Sequence, residues 1–122
     1  MLLDEYNAYC ASLPHTTHVV QWGDAHVWKV GGKVFAIAGW SAGDELAVTF
    51  KVSELGFDIL KQQPGLRPAP YLASRGMTWI QRTSGESMDD AALKDYLAES
   101  HRLVAAKLTR KLRRELGLDT AT

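Results

Sequence analysis

The chain has 122 residues, and its 14 basic and 14 acidic side chains give a formal net charge of zero at pH 7. This length corresponds to one ordinary domain, and a hydrophobic fraction of 46% is enough for a core that needs no metal or disulfide. The balanced charge excludes a global field that would draw the protein to DNA or to a membrane, so a polyanionic partner requires a local basic patch.

The first predicted element is a helix over Leu2–Ser12, which ends before Pro14. It contains Cys10, the only cysteine, so the chain forms no internal disulfide, and a lone small thiol is more often a packing residue than a nucleophile. Asp4 and Glu5 interrupt the early apolar residues, and no apolar segment has the length of a signal peptide or a membrane span. We therefore expect a cytoplasmic protein with no membrane partner.

A β-hairpin follows, after a short strand over Val19–Trp22. Strands over His26–Val30 and Lys33–Trp40 are separated by Gly31-Gly32, a two-residue loop that favours a primed turn. If the strand pairing continues from this turn without interruption, the cross-strand pairs are Val30–Lys33, Trp28–Phe35 and His26–Ile37. The predicted core face then carries Trp28, Phe35 and Ile37, and the opposite face carries Val27, Ala36 and Ala38.

A strand over Glu45–Lys51 and a short helix come next. The strand alternates cleanly, and its predicted inward residues are Leu46, Val48 and Phe50. Ser53 is a candidate N-cap for the helix, which ends near Gln63, before Pro64-Gly65. The predicted buried side of this helix consists of Leu55, Ile59 and Leu60.

The last predicted elements are a strand over Gly76–Thr83 and a helix over Met88–Leu116. Ser87 followed by two aspartates is typical of a capped helix start, and the length of the helix favours a bend or division near Thr109. This order of elements predicts a single α+β domain over residues 1–117, with an antiparallel sheet of hairpins packed by the first and last helices. Residues 118–122 form a short tail in this prediction.

The charged side chains are segregated along the chain. Residues 61–82 contain four basic and no acidic residues, and residues 101–122 contain six basic and two acidic residues. In the last helix a stripe at i, i+3, i+4 and i+7 shares one face: Lys107, Arg110, Lys111 and Arg114. A solvated helix surface is the simpler explanation of this stripe, and a row of phosphate contacts is the alternative.

The first basic segment also contains a tryptophan. Trp79 lies between Arg75 and Arg82, and Arg67 precedes all three. A core position is the ordinary expectation for a tryptophan. An exposed tryptophan among arginines would instead offer a stacking platform for nucleic-acid bases.

The sequence contains no convincing catalytic or metal-binding motif. His15 and His18 form an H-x-x-H pair, but a zinc site needs three or four ligands, and no cysteine pair or H-E-x-x-H motif supplies the others. We interpret His26 as a strand residue packed beside Ile37. The segment Gly31-Gly32-Lys33 lacks the earlier glycine and the following Ser or Thr of a phosphate loop. We therefore expect no enzymatic activity, no cofactor and no bound metal.

Several segments together resemble the MmcQ/YjbR family. The resemblance is carried by the run Trp22–Ala36 (WGDAHVWKVGGKVFA), with LPHTT at 13–17, FKV at 50–52, PAPYL at 68–72 and ESHRLV at 99–104. It covers nearly the whole chain. Family members often place a tryptophan soon after the Tyr-Leu pair, and here either Met77 or Trp79 takes that position.

The resemblance implies an α+β fold similar to the CyaY (frataxin-like) architecture, with a sheet likened to a "double wing" DNA-binding motif. It also implies a small bacterial cytoplasmic protein, and no catalytic residues carry over from the family. The leading hypothesis is a non-enzymatic DNA-binding protein; the sequence does not determine its oligomeric state, although a monomer is slightly favoured. Its predicted contacts are Arg67, Arg75, Trp79, Arg82, Lys107, Arg110, Lys111 and Arg114.

Two other hypotheses stay open. A protein- or small-ligand-binding module is compatible with the neutral net charge and the four tryptophans. A frataxin-like iron binder is suggested only by kinship of fold. Such proteins use an acidic first helix, and here that helix offers just Asp4 and Glu5.

Overall fold

The computed structural model describes residues 1–40, 45–70, 72 and 77–117, which form four helices and six strands. The helices are α1 (Leu3–Ser12), α2 (Glu54–Leu60), α3 (Asp90–Ala105) and α4 (Arg110–Glu115). The strands are β1 (Thr16–Gln21), β2 (Ala25–Val30), β3 (Lys33–Ala38), β4 (Val48–Lys51), β5 (Leu66–Pro68) and β6 (Trp79–Arg82). All pair antiparallel in the order β1-β2-β3-β4-β6-β5, which confirms the predicted fold class. The predicted tail lies outside the described residues.

Side-chain caps determine where three helices begin. Ser53 caps α2 as predicted, and Asp89 caps α3 two residues after the predicted Ser87. The Thr109 hydroxyl accepts a hydrogen bond from the Leu112 amide at 3.1 Å and starts α4 as a separate helix. The predicted division of the last helix is therefore confirmed.

The main core lies between one face of the sheet and the helices α1 and α3. Its largest fully buried side chains include Tyr6, Phe35, Phe50, Leu93 and Leu97. Burying a large apolar side chain contributes roughly 1.5–3 kcal/mol. Cys10 is buried in the same core, and burial raises the pKa of its thiol to about 12, so this cysteine packs as predicted. Among the helices that the structure describes, none combines the length and hydropathy needed to cross a membrane.

The Gly31-Gly32 turn is confirmed, but the predicted register beyond it is wrong. Val30 pairs with Lys33 as expected, whereas Trp28 pairs with Ala36 because a β-bulge inserts Phe35 as an extra residue. A bulge of one residue reverses the alternation on the strand that carries it. Ile37 therefore lies opposite Val27, on the sheet face away from α1 and α3. Both Ala36 and Ala38 lie in the main core with Trp28 and Phe35.

The sheet face away from these helices is also covered. Ala25, Val27 and Ile37 form a second buried cluster, against which Trp40 and Leu72 pack. The same face contains two fully buried polar side chains, Thr49 and Gln81. The sheet is therefore buried on both sides near its centre.

The predicted buried side of α2 is largely wrong. Leu60 is buried, but Leu55 is 71% exposed and Ile59 is 54% exposed. This seven-residue helix lies beside β5 and β6 and contacts the core through Leu60 and the partly buried Phe57. A helix of two turns presents too narrow a side to bury three long side chains against a sheet edge.

The two turn glycines are expected to tolerate alanine differently. Both have left-handed φ values, 56° for Gly31 and 83° for Gly32, so alanine costs about 1–2 kcal/mol at either position. At Gly31 a Cβ would also lie 2.6 Å from Leu108 Cδ1, which adds about 1–3 kcal/mol of overpacking, whereas the space at Gly32 is open. Chemical denaturation of both variants measures the difference, and equal losses of stability would contradict the packing of Leu108 on the turn.

Candidate nucleic-acid interface

Arg82 is buried, and its side chain forms hydrogen bonds within the protein. Its side chain is only 4% exposed, Nε donates to the Met88 carbonyl at 2.8 Å, and the guanidinium lies 3.0 Å from Asp90 Oδ1. The amino group of Met1 also lies 3.0 Å from Asp90, and this group and then Arg82 hold the pKa of the carboxyl below its usual value. The expectation that Arg82 reaches a phosphate is at odds with this burial.

Trp79 is also buried, with 5% of its surface exposed. It pairs with Lys51 across β4 and β6. Its indole N–H has no hydrogen-bond partner among the described residues. No ring face is free for base stacking, so the core expectation for Trp79 is confirmed and the stacking platform is not.

Arg67 lies on the sheet face away from α1 and α3. Its Nε donates to Gln81 Oε1 at 2.6 Å, and the Gln81 amide in turn donates to the Trp40 carbonyl at 3.3 Å. This half-buried arginine pairs with Gln81 across the β5–β6 edge, so it does not share a surface with α4. The fourth predicted residue of this segment, Arg75, lies outside the described residues.

Three lysines from separate elements approach one another at one end of the sheet. Lys51 ends β4, Lys107 follows α3, and Lys33 begins β3 after the Gly-Gly turn. Burial lowers the pKa of the Lys51 ammonium, and the neighbouring charges of Lys107 and Lys33 lower it further. We call Lys33, Lys51 and Lys107 the lysine cluster.

Three of the four basic residues on α4 lie around one concavity, and the fourth, Arg113, is partly buried. Arg110, Lys111 and Arg114, together with Glu115, line an open concavity of about 440 Å³. Gly31 lies so close to the residues flanking α4 that a Cβ there would be 2.6 Å from Leu108 and 3.4 Å from Leu116. The hairpin turn and α4 therefore occupy the same end of the molecule. Since Thr109 starts a new helix, Lys107 is not part of a continuous helical stripe, which corrects the predicted i, i+3, i+4, i+7 arrangement.

None of these six cations has an ion pair among the described residues. The ion pairs found there join Met1 and Arg82 to Asp90, Lys61 to Asp58, and Arg102 to Glu99. Among the described residues, the acids in the two concavities that these cations line are Glu54 and Glu115. We call this surface the basic end: Lys33, Lys51, Lys107, Arg110, Lys111 and Arg114.

Ser100 on α3 fixes the backbone beside the lysine cluster. Its hydroxyl accepts a hydrogen bond from the Lys51 amide at 2.8 Å and donates to the Phe35 carbonyl at 2.6 Å. Both contacts join α3 to the sheet, and Ser100 is fully buried. The serine thus provides hydrogen-bond partners for a backbone amide at the end of β4 and a backbone carbonyl at the β3 bulge.

A second polar cluster lies on the outer strands, away from the basic end. His18 Nε2 is 3.0 Å from His26 Nδ1, and the His18 ring stacks on Trp28 with centroids 4.8 Å apart. The sequence paired His18 with His15, whereas the fold pairs it with His26 across two strands. His26 lies opposite Ala38, not beside Ile37, because of the bulge. No group of three potential metal ligands occurs in the described part of the chain.

The titration of His18 tests this cluster. Burial, and then the nearby His26, lower the pKa of His18 below its usual value near pH 6.5. The folded state therefore favours the neutral His18 ring. The stability that this preference contributes is present above about pH 6.5 and is lost as the pH falls through the folded-state pKa. We expect His26→Gln to raise the His18 midpoint in an NMR titration, and an unchanged midpoint would show that the rings do not interact.

The fold defines a class of small α+β proteins in which an antiparallel sheet with a Gly-Gly hairpin is covered by an N-terminal and a C-terminal helix. The family model named YjbR matches residues 11–103. The chain therefore belongs to the YjbR family, as the sequence resemblance indicated.

The solved structures that are similar to the chain include the following two. The Deinococcus radiodurans protein DR2400, described as a DUF419 domain, is 26% identical with a TM-score of 0.83, covering 98% of this chain and 91% of that one. A Pseudomonas syringae protein is 18% identical with a TM-score of 0.69, covering 85% of this chain and 99% of that one, and it shows likeness of fold alone. No curated protein matches the sequence significantly.

Proposed function

We propose that this YjbR-family member is a cytoplasmic, non-enzymatic DNA-binding protein whose phosphate contacts come from the basic end. The observation that carries the proposal is the convergence of six cations from the hairpin, β4 and the α3–α4 region without ion pairs among the described residues. The proposal retains Lys107, Arg110, Lys111 and Arg114 and adds Lys33 and Lys51. It leaves out Arg67, Trp79 and Arg82, which are engaged in packing or internal hydrogen bonds.

The environment of Lys51 favours this proposal over a merely solvated helix surface. A solvated surface places its cations in water, whereas Lys51 is half-buried beside two other lysines that lower its pKa. A bound phosphate would relieve that repulsion and favour the charged ammonium. DNA supplies such phosphates at regular spacing, so one strand can engage the lysine cluster and α4 together.

The second candidate is a protein-binding module, and a specific observation favours it. The outer strand β1 contains no Lys, Arg, Asp or Glu, and Val20 is 48% exposed beside the 52% exposed Trp22. An uncharged edge strand of six residues is suited to adding a strand from a partner. This surface is separate from the basic end, so the two candidates make different predictions.

Fluorescence anisotropy with labelled single-stranded and duplex DNA tests the proposal. We expect binding at low salt that weakens as salt rises, since counterions released from phosphates drive it. Lys61→Gln is a matched control, because Lys61 pairs with Asp58 on α2 outside the basic end and should leave the affinity unchanged. Absence of binding to either DNA at low salt would refute the proposal and favour the protein-binding module.

A further inference from the structure

We propose that the concavity between β4 and α3 seats a single nucleotide unit, with its phosphate on Lys51 and Lys107 and its base against Met77 and Leu103. The concavity has a volume of about 300 Å³ and is lined by Lys51, Val52, Ser53, Glu54, Met77, Thr78, Leu103 and Lys107. The inference rests on the proposed function for the phosphate-binding role of the two lysines. The nucleotide is either free or part of a single DNA strand, and the experiment below separates these sources.

One wall of the concavity is suited to an anion. Lys51 and Lys107 come from different elements, and Lys33 adds a third positive charge nearby. Neither lining lysine has an ion pair among the described residues. Glu54 is the one acid among the described lining residues, and it is exposed at the start of α2, so it reduces the attraction for an anion without neutralising it.

The other wall is apolar and accessible. Met77 is 40% exposed, and Leu103 on α3 is partly buried. A thioether side chain is polarizable and adapts its shape to an aromatic ring, which makes favourable sulfur–ring contacts. A phosphate group alone would leave these side chains in water, whereas a nucleotide would cover them with its base.

The concavity is preformed by two hydrogen bonds between its lining segments. The Val52 amide donates to the Thr78 carbonyl at 2.9 Å, and the Thr78 hydroxyl donates to the Val52 carbonyl at 2.6 Å. These bonds hold the segment that follows β4 and the segment that precedes β6 in a fixed relation. The volume lies at the lower end of small-molecule sites, which span roughly 300–1,000 Å³. A site of this size holds one nucleotide and not a duplex.

Seating a base in the concavity requires that the base be unpaired. Bases in a duplex are stacked and paired, and extruding one costs free energy, whereas single strands expose their bases. The inference therefore predicts tighter binding to single-stranded than to duplex DNA at the same salt concentration.

The experiment titrates the full chain with adenosine 5′-monophosphate, adenosine and inorganic phosphate, followed by NMR amide shifts and calorimetry. The nucleotide is expected to bind more tightly than either part and to shift the amides of Lys51, Val52, Thr78 and Leu103. Lys107→Gln and Lys51→Gln should each weaken its binding about tenfold, since each removes a charged hydrogen bond. Glu54→Gln should strengthen binding, because it removes a carboxylate that lines the concavity and repels the phosphate.

Met77→Ala separates the base contact from the phosphate contact. It should weaken binding of the nucleotide about fivefold and leave inorganic phosphate unchanged, because the sulfur–ring contact involves only the base. Lys61→Gln and Leu55→Ala, both on the α2 side of the molecule and outside the basic end, are the matched controls for charge and apolar surface, since neither residue lines the concavity. Both Lys107 and Met77 are exposed, so these variants keep the test independent of folding.

The outcomes separate the inference from the proposed function. Nucleotide binding with a preference for single-stranded DNA supports both. Nucleotide binding without DNA binding supports the inference with a free nucleotide and contradicts the proposed function. DNA binding that depends on α4 alone, with no nucleotide-induced shifts around the concavity, overturns the inference and leaves the proposed function standing.

Discussion

Replacing Arg110, Lys111 and Arg114 together by glutamine is expected to weaken binding of single-stranded DNA on the order of a hundredfold at about 50 mM salt. All three line one concavity on α4, and none has an ion pair among the residues described. Each phosphate contact contributes about 0.7 to the slope of log K against log salt, so the triple variant should lower that slope by about 2. Anisotropy titrations over a range of salt concentrations measure both quantities.

A control variant with the same net charge separates the effect of the basic end on DNA affinity from the effect of the overall charge. Lys61, Lys94 and Arg102 lie outside the basic end, and replacing them by glutamine also removes three positive charges. We expect this control to retain most of the affinity and its salt slope. Equal losses in the two triple variants would mean that net charge alone, rather than the basic end, governs binding.

Ser100→Ala is expected to destabilise the fold by about 2–6 kcal/mol, because two backbone groups with little access to water lose their partner and each unsatisfied group costs about 1–3 kcal/mol. Those groups are the Lys51 amide and the Phe35 carbonyl, which the Ser100 hydroxyl joins. Chemical denaturation followed by circular dichroism gives the change in the free energy of unfolding. The same variant should loosen the end of β4 and so weaken phosphate binding at the lysine cluster.

Ser87→Ala is the comparison for this prediction. Ser87 is exposed before α3 and does not cap it, so its replacement should change stability by no more than about 0.5 kcal/mol. If Ser100→Ala were as mild as Ser87→Ala, the serine would not be the link between α3 and the sheet that its two hydrogen bonds indicate.

Local signals in the sequence predicted the parts of the fold that depend on few residues. The Gly31-Gly32 turn, the cap at Ser53 and the division of the last helix near Thr109 all depend on local backbone requirements of a turn or a helix. The bulge at Phe35 does not follow from the strand pattern, because an alternating sequence gives no sign of an extra residue. That one insertion moved Ile37 to the far face of the sheet.

The candidate surface depended on contacts between distant segments, which charge counts along the chain do not reveal. The segment 61–82 contains no acid, yet Arg82 pairs with Asp90, which follows that segment in the sequence. Conversely, Lys51 is the only basic residue of β4, and Lys33 and Lys107 come close to it only because β3 and α3 pack beside this strand. The stripe on the last helix could be predicted in part, since Arg110, Lys111 and Arg114 remain together after the helix divides.

Mapping the amides perturbed by single-stranded DNA is the most direct test of the central claim, that the basic end is the DNA-binding surface. We predict that NMR shifts concentrate at the Gly31-Gly32 turn, around Lys51 and Lys107, and along α4. Shifts that concentrate instead on β1, or that spread evenly over the molecule, would contradict the account.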